Sequence, residues 1–448
     1  MPDITRDDVT EYALARYVNK HYGTVRHTET YGWLEYNQAY WSGIGADVAA
    51  FNQVSEGLMK RQAEVRRKGK FEADHVISQL CENSVRNINA VLTHLKNMTS
   101  TPLDQFDASP DELNVANGVV NLETGEVIAH QPSQLFTYCV DVPYLPGADS
   151  SVWEEFLARS VGGGPEIVDF LQRCVGYSLT GHTHEEKMFY IYGPTRSGKG
   201  VFTETLLALL GATLATEVDF NIFTRERQQD ANNFDLAPLK AARFLAASES
   251  SRYQRLNEAK VKQMTGGNSI WCAFKYSKHF SYRPQYKIWL TSNYEVNADP
   301  NDLAVWGRLV RLEFPVSHLG EEDVSLKARL RQPEHLAGVL RWAVEGARRW
   351  YVEGLEIPAA LQAHLAATRD ELDTVQHWLE ESTLPDATSF LSNDTIRSSY
   401  QEWCEAQGFK PMNGMHLSRT ITTKGAYTIH KKSGRRGIVG LRLRLGVA

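Results

Sequence analysis

The stretch Gly193-Pro194-Thr195-Arg196-Ser197-Gly198-Lys199-Gly200 holds the residue types that cradle a chain of phosphates. A glycine-rich turn aims backbone N–H groups at the β-phosphate, a following helix N-terminus adds positive potential, and the lysine reaches the β- and γ-oxygens. The flanks fit that use. Met188 to Tyr192 is an apolar run that reads as a buried strand, and Val201 to Leu210 has helical apolar spacing without Pro or Gly. Gly193 through Val201 are therefore the expected nucleotide-binding residues, with Lys199 as the catalytic cation. At Gly200 a Ser or Thr would ordinarily give a hydroxyl to Mg²⁺, so metal coordination falls to another side chain and water.

Three further positions could complete a phosphoryl-transfer site. Arg243 to Ser248 reads as a strand ending in Glu249, fifty residues after Lys199. A carboxylate at a strand's C-terminal edge can hold Mg²⁺ or polarise a water; taken alone, it is equally an ordinary solvated Glu. Ile288 to Ser292 reads as another strand, ending in Asn293, whose amide can orient that water. Arg308 opens the strand Leu309 to Phe314; a guanidinium there suits charge neutralisation across a subunit boundary, and also suits a surface ion pair. Between them, Ser269 to Tyr276 and Ser281 to Leu290 read as strands of a hairpin around Ser277-Lys278-His279. Lys275, Lys278 and His279, beside Tyr276 and Phe280, could contact a nucleic-acid backbone, though an ordinary surface hairpin has the same pattern.

Positioning these groups takes several units, as the 448-residue length leads one to expect. The chain is 42% hydrophobic and 23% charged, without an apolar run of membrane-spanning length or a signal peptide. Five separated cysteines form no CxxC pair, which argues against a zinc site or disulfide framework and for a reducing cytoplasm, that of a bacterial host. Residues 1 to about 105 read mainly as helix, including Phe51–Arg67 and Ala73–Asn97, with a short aromatic hairpin between Tyr31 and Trp41. Asn117-Gly118 and Thr124-Gly125 mark a meander, and Trp153 to Leu179 returns to helix. Strands and helices then alternate to about Pro315, and Val324 to Tyr351 reads as a helical lid. The net charge is −6, yet Lys410 to Ala448 carries nine Lys or Arg and no acid. Helices at Val375–Glu381, Asp394–Gln407 and His416–Thr423, followed by two strands around Lys431, Lys432, Arg435 and Arg436, form a winged-helix pattern; Arg419 lies on its third helix. These basic residues are candidate DNA contacts.

This order of motifs resembles the superfamily III helicases, in particular the phage and plasmid primase-helicase group that includes the poxvirus primase-helicase. The likeness spans about residues 30–445. It takes in Trp33 and Trp41, Asn117-Gly118, Val168 to Gly176, the phosphate loop, Glu249, Thr265-Gly266-Gly267, Asn293, Trp306 with Arg308, and Trp403-Cys404 with the Gly434 to Gly437 turn. It implies a multidomain α/β fold: a helical N-terminal collar (1–110), a small β meander with helical linker (111–185), an AAA+ type P-loop ATPase core with central parallel sheet and lid (186–360), and a C-terminal winged helix (370–448). By the same resemblance Lys199 binds phosphate, Glu249 acts with Mg²⁺, Asn293 is the sensor, Arg308 is a finger supplied in trans, and the Lys275/Lys278 hairpin grips single-stranded DNA inside a ring.

The sequence departs from that pattern at Gly200, at Asn268 where Asp is frequent, and at Ala273 where a basic residue is frequent. About thirty residues precede Trp33, too few for a primase fold, so priming is not expected. The expectation is an ATP- and Mg²⁺-dependent replicative helicase of a phage or mobile element, moving 3′ to 5′ as a homo-oligomeric, hexameric ring on single-stranded and forked DNA, served by a separate primase or polymerase and without a membrane. Two rivals remain: an initiator in which ATP only switches assembly, and a small-molecule phosphotransferase.

Overall fold

The computed structural model describes residues 4–68, 78–162, 164–224, 233–249, 255–273, 279–321, 323–409 and 411–444. At the N-terminus, Asp8 Oδ2 accepts from Thr5 N and Thr5 Oγ1, each at 2.9 Å, over the turn Arg6–Val9, and the Thr10 hydroxyl caps the helix Glu11–His21 by accepting from Ala13 N at 3.2 Å. That helix packs with Ala46–Lys68 and Val85–Met98 around Leu14, Val18, Val54, Leu58, Val91 and Leu95. Of the helix expected over Ala73–Asn97, residues 73–77 lie outside the described residues; the rest is interrupted before Ser84, whose hydroxyl caps Val85–Met98.

The aromatic segment forms an antiparallel three-stranded sheet of β1 (Val25–Thr28), β2 (Gly32–Tyr36) and β3 (Trp41–Ser42). A second antiparallel sheet follows, β4 (Glu112–Val115), β5 (Gly118–Asn121) and β6 (Val127–Ile128). Asn121 closes its second turn by accepting from Glu123 N and Thr124 N. The helical stretch Trp153–Leu179 is two helices, Ser151–Ser160 and Pro165–Leu179; a proline at the second one's first position suits a helix start.

The centre is a five-stranded parallel sheet built from β7 (Met188–Tyr192), β8 (Ala215–Glu217), β9 (Phe244–Ser248), β12 (Lys287–Ser292) and β13 (Leu309–Glu313), in the order β13-β7-β12-β9-β8. The near-continuous apolar runs of β7, β9, β12 and β13 reflect burial on both faces. Alternate residues serve opposite cores. Phe189, Phe244 and Trp289 join Phe202 of the Lys199–Leu214 helix on one side; Tyr190, Leu245 and Leu290 join Val261 and Met264 on the other. Trp289 stacks on Phe189 with ring centroids 4.3 Å apart, which fixes the centre of the sheet.

Of the first strand expected for the hairpin, residues 274–276 lie outside the described residues, and the second is shorter than expected. β10 (Ile270–Cys272) pairs antiparallel with β11 (Phe280–Tyr282), and β12 is a separate strand in the central sheet. Arg283-Pro284 separates the two, because proline removes a ladder donor and restricts the residue before it.

The C-terminal unit differs from the expected order. Its helices Thr374–Ser382, Asn393–Gln407 and Gly414–Thr423 do not run consecutively, because β14 (Thr383–Ser392) follows the first. β14 pairs antiparallel with β16 (Arg435–Leu443), which pairs with β15 (Thr428–Lys432). Pro385 and a register shift between Asp386 and Phe390 obscure β14 in the sequence; an edge strand tolerates both. Trp378, Tyr400, Ile438 and Leu441 close its core.

Candidate nucleotide site and nucleic-acid interface

β7 delivers the loop Gly193 to Gly198 to the C-terminal edge of the sheet, and Lys199 opens the helix beyond it. Glycine is required twice. A Cβ at Gly193 would lie 2.2 Å from the Phe314 carbonyl oxygen; Gly198 has φ +94°, and a Cβ there would lie 2.7 Å from Ser160 Oγ. Arg196 adopts a positive φ of 62°, uncommon for a side chain of its size. The loop's outer side is pinned by the segment after β13: Ser317 Oγ donates to Thr195 O at 2.9 Å and His318 N to Arg196 O at 3.0 Å.

Lys199 Nζ donates to Gly193 O (2.7 Å), Pro194 O (2.8 Å), Ser197 Oγ (3.2 Å) and Asn293 Oδ1 (2.8 Å). Burial among these neutral acceptors lowers its pKa to about 8. Asn293 reaches Lys199 because β12 is the direct neighbour of β7. Glu249 sits one strand further, after β9, with its N–H on Thr291 O at 2.9 Å. Its Oε2 accepts from Tyr190 OH at 3.0 Å and from Ser292 Oγ. Burial raises the Glu249 pKa, while those two donors pull the other way. Its Oε1 takes no hydrogen bond among the described residues, which leaves an oxygen for a metal or water.

In front of this edge lies a cavity of about 540 Å³. Val152 and Phe156 of the Ser151–Ser160 helix form an apolar wall, and Lys327 and Arg329 approach from the helix Leu326–Leu330. The cradle, the apolar wall and the excess of cations around the loop fit a nucleoside triphosphate. Beside Gly200 a Cβ would meet Glu204 Oε1 at 3.5 Å and Lys327 Nζ at 3.8 Å, so a side chain would fit. Glu204 is bound by Lys327 Nζ and Arg331 Nη2, each at 2.6 Å, which ties the lid helix to the loop helix. No cluster of three or more His, Cys, Asp or Glu suited to a metal ion occurs among the described residues.

Arg308 lies elsewhere. It precedes β13, and Leu309 pairs with Met188, so it occupies the N-terminal edge of the sheet. The five-residue strand puts it about 16 Å from its own phosphate loop. Its guanidinium donates to Ala304 O at 2.8 Å and pairs with Glu186.

Of the hairpin cations, Lys275 and Lys278 lie outside the described residues. His279 is exposed at the start of β11. Ile270, Cys272 and Tyr282 turn into the core, so the opposite face carries Trp271, 65% exposed, with Ser281 directly across from it and His279 and Arg283 at diagonal positions. Sequence reading missed Trp271 and Arg283; strand alternation about Cys272 could have found both. In the C-terminal unit β15 is exposed throughout, and Lys431 faces Arg436 as Lys432 faces Arg435. Arg419 is exposed as well. Lys424 pairs with Asp373, Arg442 with Asp386, and Arg444 caps Glu380 O and Thr383 O, so the nine charges are not equally available. Among the described residues no helix is long and apolar enough to cross a membrane.

Residues 11–162 match the family described as D5 N terminal like, and residues 191–304 match a family of unknown function, DUF5906. The chain is 22% identical over 390 residues to a "Putative helicase" of Acanthamoeba polyphaga mimivirus, covering 78% of this chain and 40% of that protein. It is 20% identical over 336 residues to a "Putative primase" of African swine fever virus (isolate Pig/Kenya/KEN-50/1950), covering 68% and 34%. The chain thus spans well under half the length of these relatives. Among solved structures, the apo C-terminal region of NrS-1 aligns with a TM-score of 0.45 at 12% identity, covering 74% of this chain and 83% of that one. The chain is thus similar over residues 11–162 to the D5 N terminal like family, and over most of its length to viral proteins named as a putative helicase and a putative primase.

Proposed function

We propose that this chain is the motor of an ATP-dependent DNA helicase from a phage or other mobile genetic element, working as a hexameric ring that moves 3′ to 5′ on single-stranded DNA. The observation that carries the reading is the meeting of Lys199, Asn293 and Glu249 at one sheet edge, in front of a cavity, while Arg308 stands at the other edge.

Bound ATP with Mg²⁺ would supply the γ-phosphoryl group whose transfer to water drives movement. Residues 193–201 would hold the triphosphate. Lys199 exchanges the loop carbonyls and Asn293 for phosphate oxygens. Asn293, once released, can orient the attacking water, and Glu249 can polarise it; burial keeps that carboxyl more basic than an exposed one. Glu249 Oε1 and water would carry the metal, since Gly200 has no hydroxyl. Arg308, too far to serve its own loop, would leave Glu186 to reach the cavity of the adjacent subunit.

The hairpin face with Trp271, His279 and Arg283 offers a base-stacking ring beside an imidazole and a guanidinium; Lys275 and Lys278, outside the described residues, would grip the phosphate backbone of the same strand. The C-terminal unit, read as a winged helix, would add duplex contacts through Arg419, Lys431, Lys432, Arg435 and Arg436. The compartment proposed is the host cytoplasm. That basic module also suits an ATP-switched initiator. ATP turnover measured with and without single-stranded DNA tests the motor: stimulation is expected, and stimulation by a small metabolite instead would favour a phosphotransferase.

A further inference from the structure

A second cavity, of about 440 Å³, opens between β1 and the segment that follows β6. β1, the Met98–Thr101 segment and the Pro132–Leu135 turn wall it, and Arg26 of β1 enters it. The Arg26 guanidinium lies over the Trp41 ring, 5.3 Å from its centroid. Its one hydrogen bond among the described residues runs from Nη1 to Val25 O, at a long 3.4 Å. A guanidinium has five N–H donors, so most of this one's capacity is unspent.

Other sequestered arginines of the chain are compensated. Arg173 pairs with Glu353, Arg308 with Glu186, and Arg311 with Glu295 and Glu313, while Arg243 donates to the Leu179 and Ser109 carbonyls. Arg26 has no carboxylate partner among the described residues, and burial alone depresses its pKa. No acid lines its cavity among the described residues. Ser100, Thr101 and Ser133 supply hydroxyls there, and Asn19 and Gln105 supply amides. A partly desolvated cation ringed by neutral donors, with its plane held by an aromatic face, is a preformed receptor for a tetrahedral anion.

We propose that this cavity binds a phosphoryl oxyanion, with Arg26 as its charged ligand. The group could arrive as a free phosphate or as a phosphodiester of a DNA strand. This inference stands apart from the motor, because the cavity shares no residue with the phosphate loop.

The test uses the full chain carrying Lys199→Ala, so that the phosphate loop does not dominate binding. Inorganic phosphate is titrated and followed by ³¹P line broadening, and a short oligo(dT) by fluorescence anisotropy. Adding Arg26→Met, which keeps an apolar stem over Trp41, should weaken phosphate binding by about tenfold or more, and Arg26→Lys should give a smaller loss. If DNA is the source, Arg26→Met also weakens oligo(dT) and lowers its salt slope by close to one unit; an unchanged oligo(dT) response with lost phosphate binding assigns the site to small anions. Phosphate and oligo(dT) binding that are identical with Arg26, Met and Lys overturns the proposal. Should the Met variant fail to fold, the Arg-to-Lys comparison alone decides: equal phosphate affinity is then the contrary result. With Lys199 intact, Arg26→Met should hydrolyse ATP normally, which separates this inference from the motor reading.

Discussion

Lys199 Nζ and Asn293 Oδ1 lie 2.8 Å apart, bridging the loop after β7 to the end of β12. The ammonium that would meet a phosphate is thus held by neutral oxygens of its own site, and the amide that would orient water is held by that ammonium. One exchange of partners arms both groups.

That exchange has a pH signature. Burial lowers Lys199 to about 8, so the nucleotide-free lysine loses its proton above that pH. A bound triphosphate favours the ammonium and raises the value. Affinity for a fluorescent ATP analogue should therefore be full below about pH 8 and fall as pH rises through it, with proton uptake on binding detectable by calorimetry in buffers of different ionisation heat. Lys199→Arg should flatten that fall, because a guanidinium stays charged. Affinity that is constant from about pH 7 to 9.5 in the parent chain would contradict this assignment of Lys199.

Glu249 separates binding from chemistry. Its Oε2 accepts from Tyr190 and Ser292, and an amide oxygen in Glu249→Gln can keep both bonds. Nucleotide affinity should stay within a few fold, while hydrolysis drops on the order of a hundredfold to ten-thousandfold. Near-parent turnover would remove Glu249 from the reaction.

Arg308 should act across a subunit boundary, since it stands at the opposite sheet edge from its own loop. Arg308→Ala alone should lose about a thousandfold in turnover. Mixed with Lys199→Ala protein it should recover part of the activity, because some interfaces then pair an intact loop with an intact arginine. Absence of rescue, with subunit exchange verified by fluorescence, would place Arg308 in a structural role with Glu186.

How much of this was legible in the sequence depends on the range of the signal. The strand Met188–Tyr192, the glycine-rich loop after it and the helix Lys199–Leu214 were readable because glycine, lysine and apolar spacing act locally. The approach of Asn293 and Glu249 to one edge needed strand order, which no local pattern encodes. Glu204 with Lys327 and Arg331, and Tyr190 and Ser292 on Glu249, were invisible for the same reason. β14 was missed because Pro385 and its polar residues give no alternation. The basic tail was counted as nine equal charges, whereas Lys424, Arg442 and Arg444 are engaged within the unit.

That distribution bears on salt dependence. Arg419, Lys431, Lys432, Arg435 and Arg436 are exposed. Deleting the chain from Asp373 onward should weaken DNA binding most at low salt and flatten log K against log salt by up to about four units, with basal ATP turnover retained. Trp271→Ala should instead cost about 1–3 kcal/mol in single-strand affinity and leave the salt slope unchanged, as for lost base stacking. An unchanged slope after the deletion would make the unit a protein-docking module.

Nucleotide chemistry at Lys199 is proposed to move DNA. Strand displacement from a forked duplex, followed by fluorescence with matched 3′- and 5′-tailed substrates, tests it most directly. ATP-dependent displacement that requires a 3′ tail and vanishes in Lys199→Ala is expected. ATP turnover by the parent chain without displacement of either fork would contradict it and leave the ATP-switched initiator as the better description.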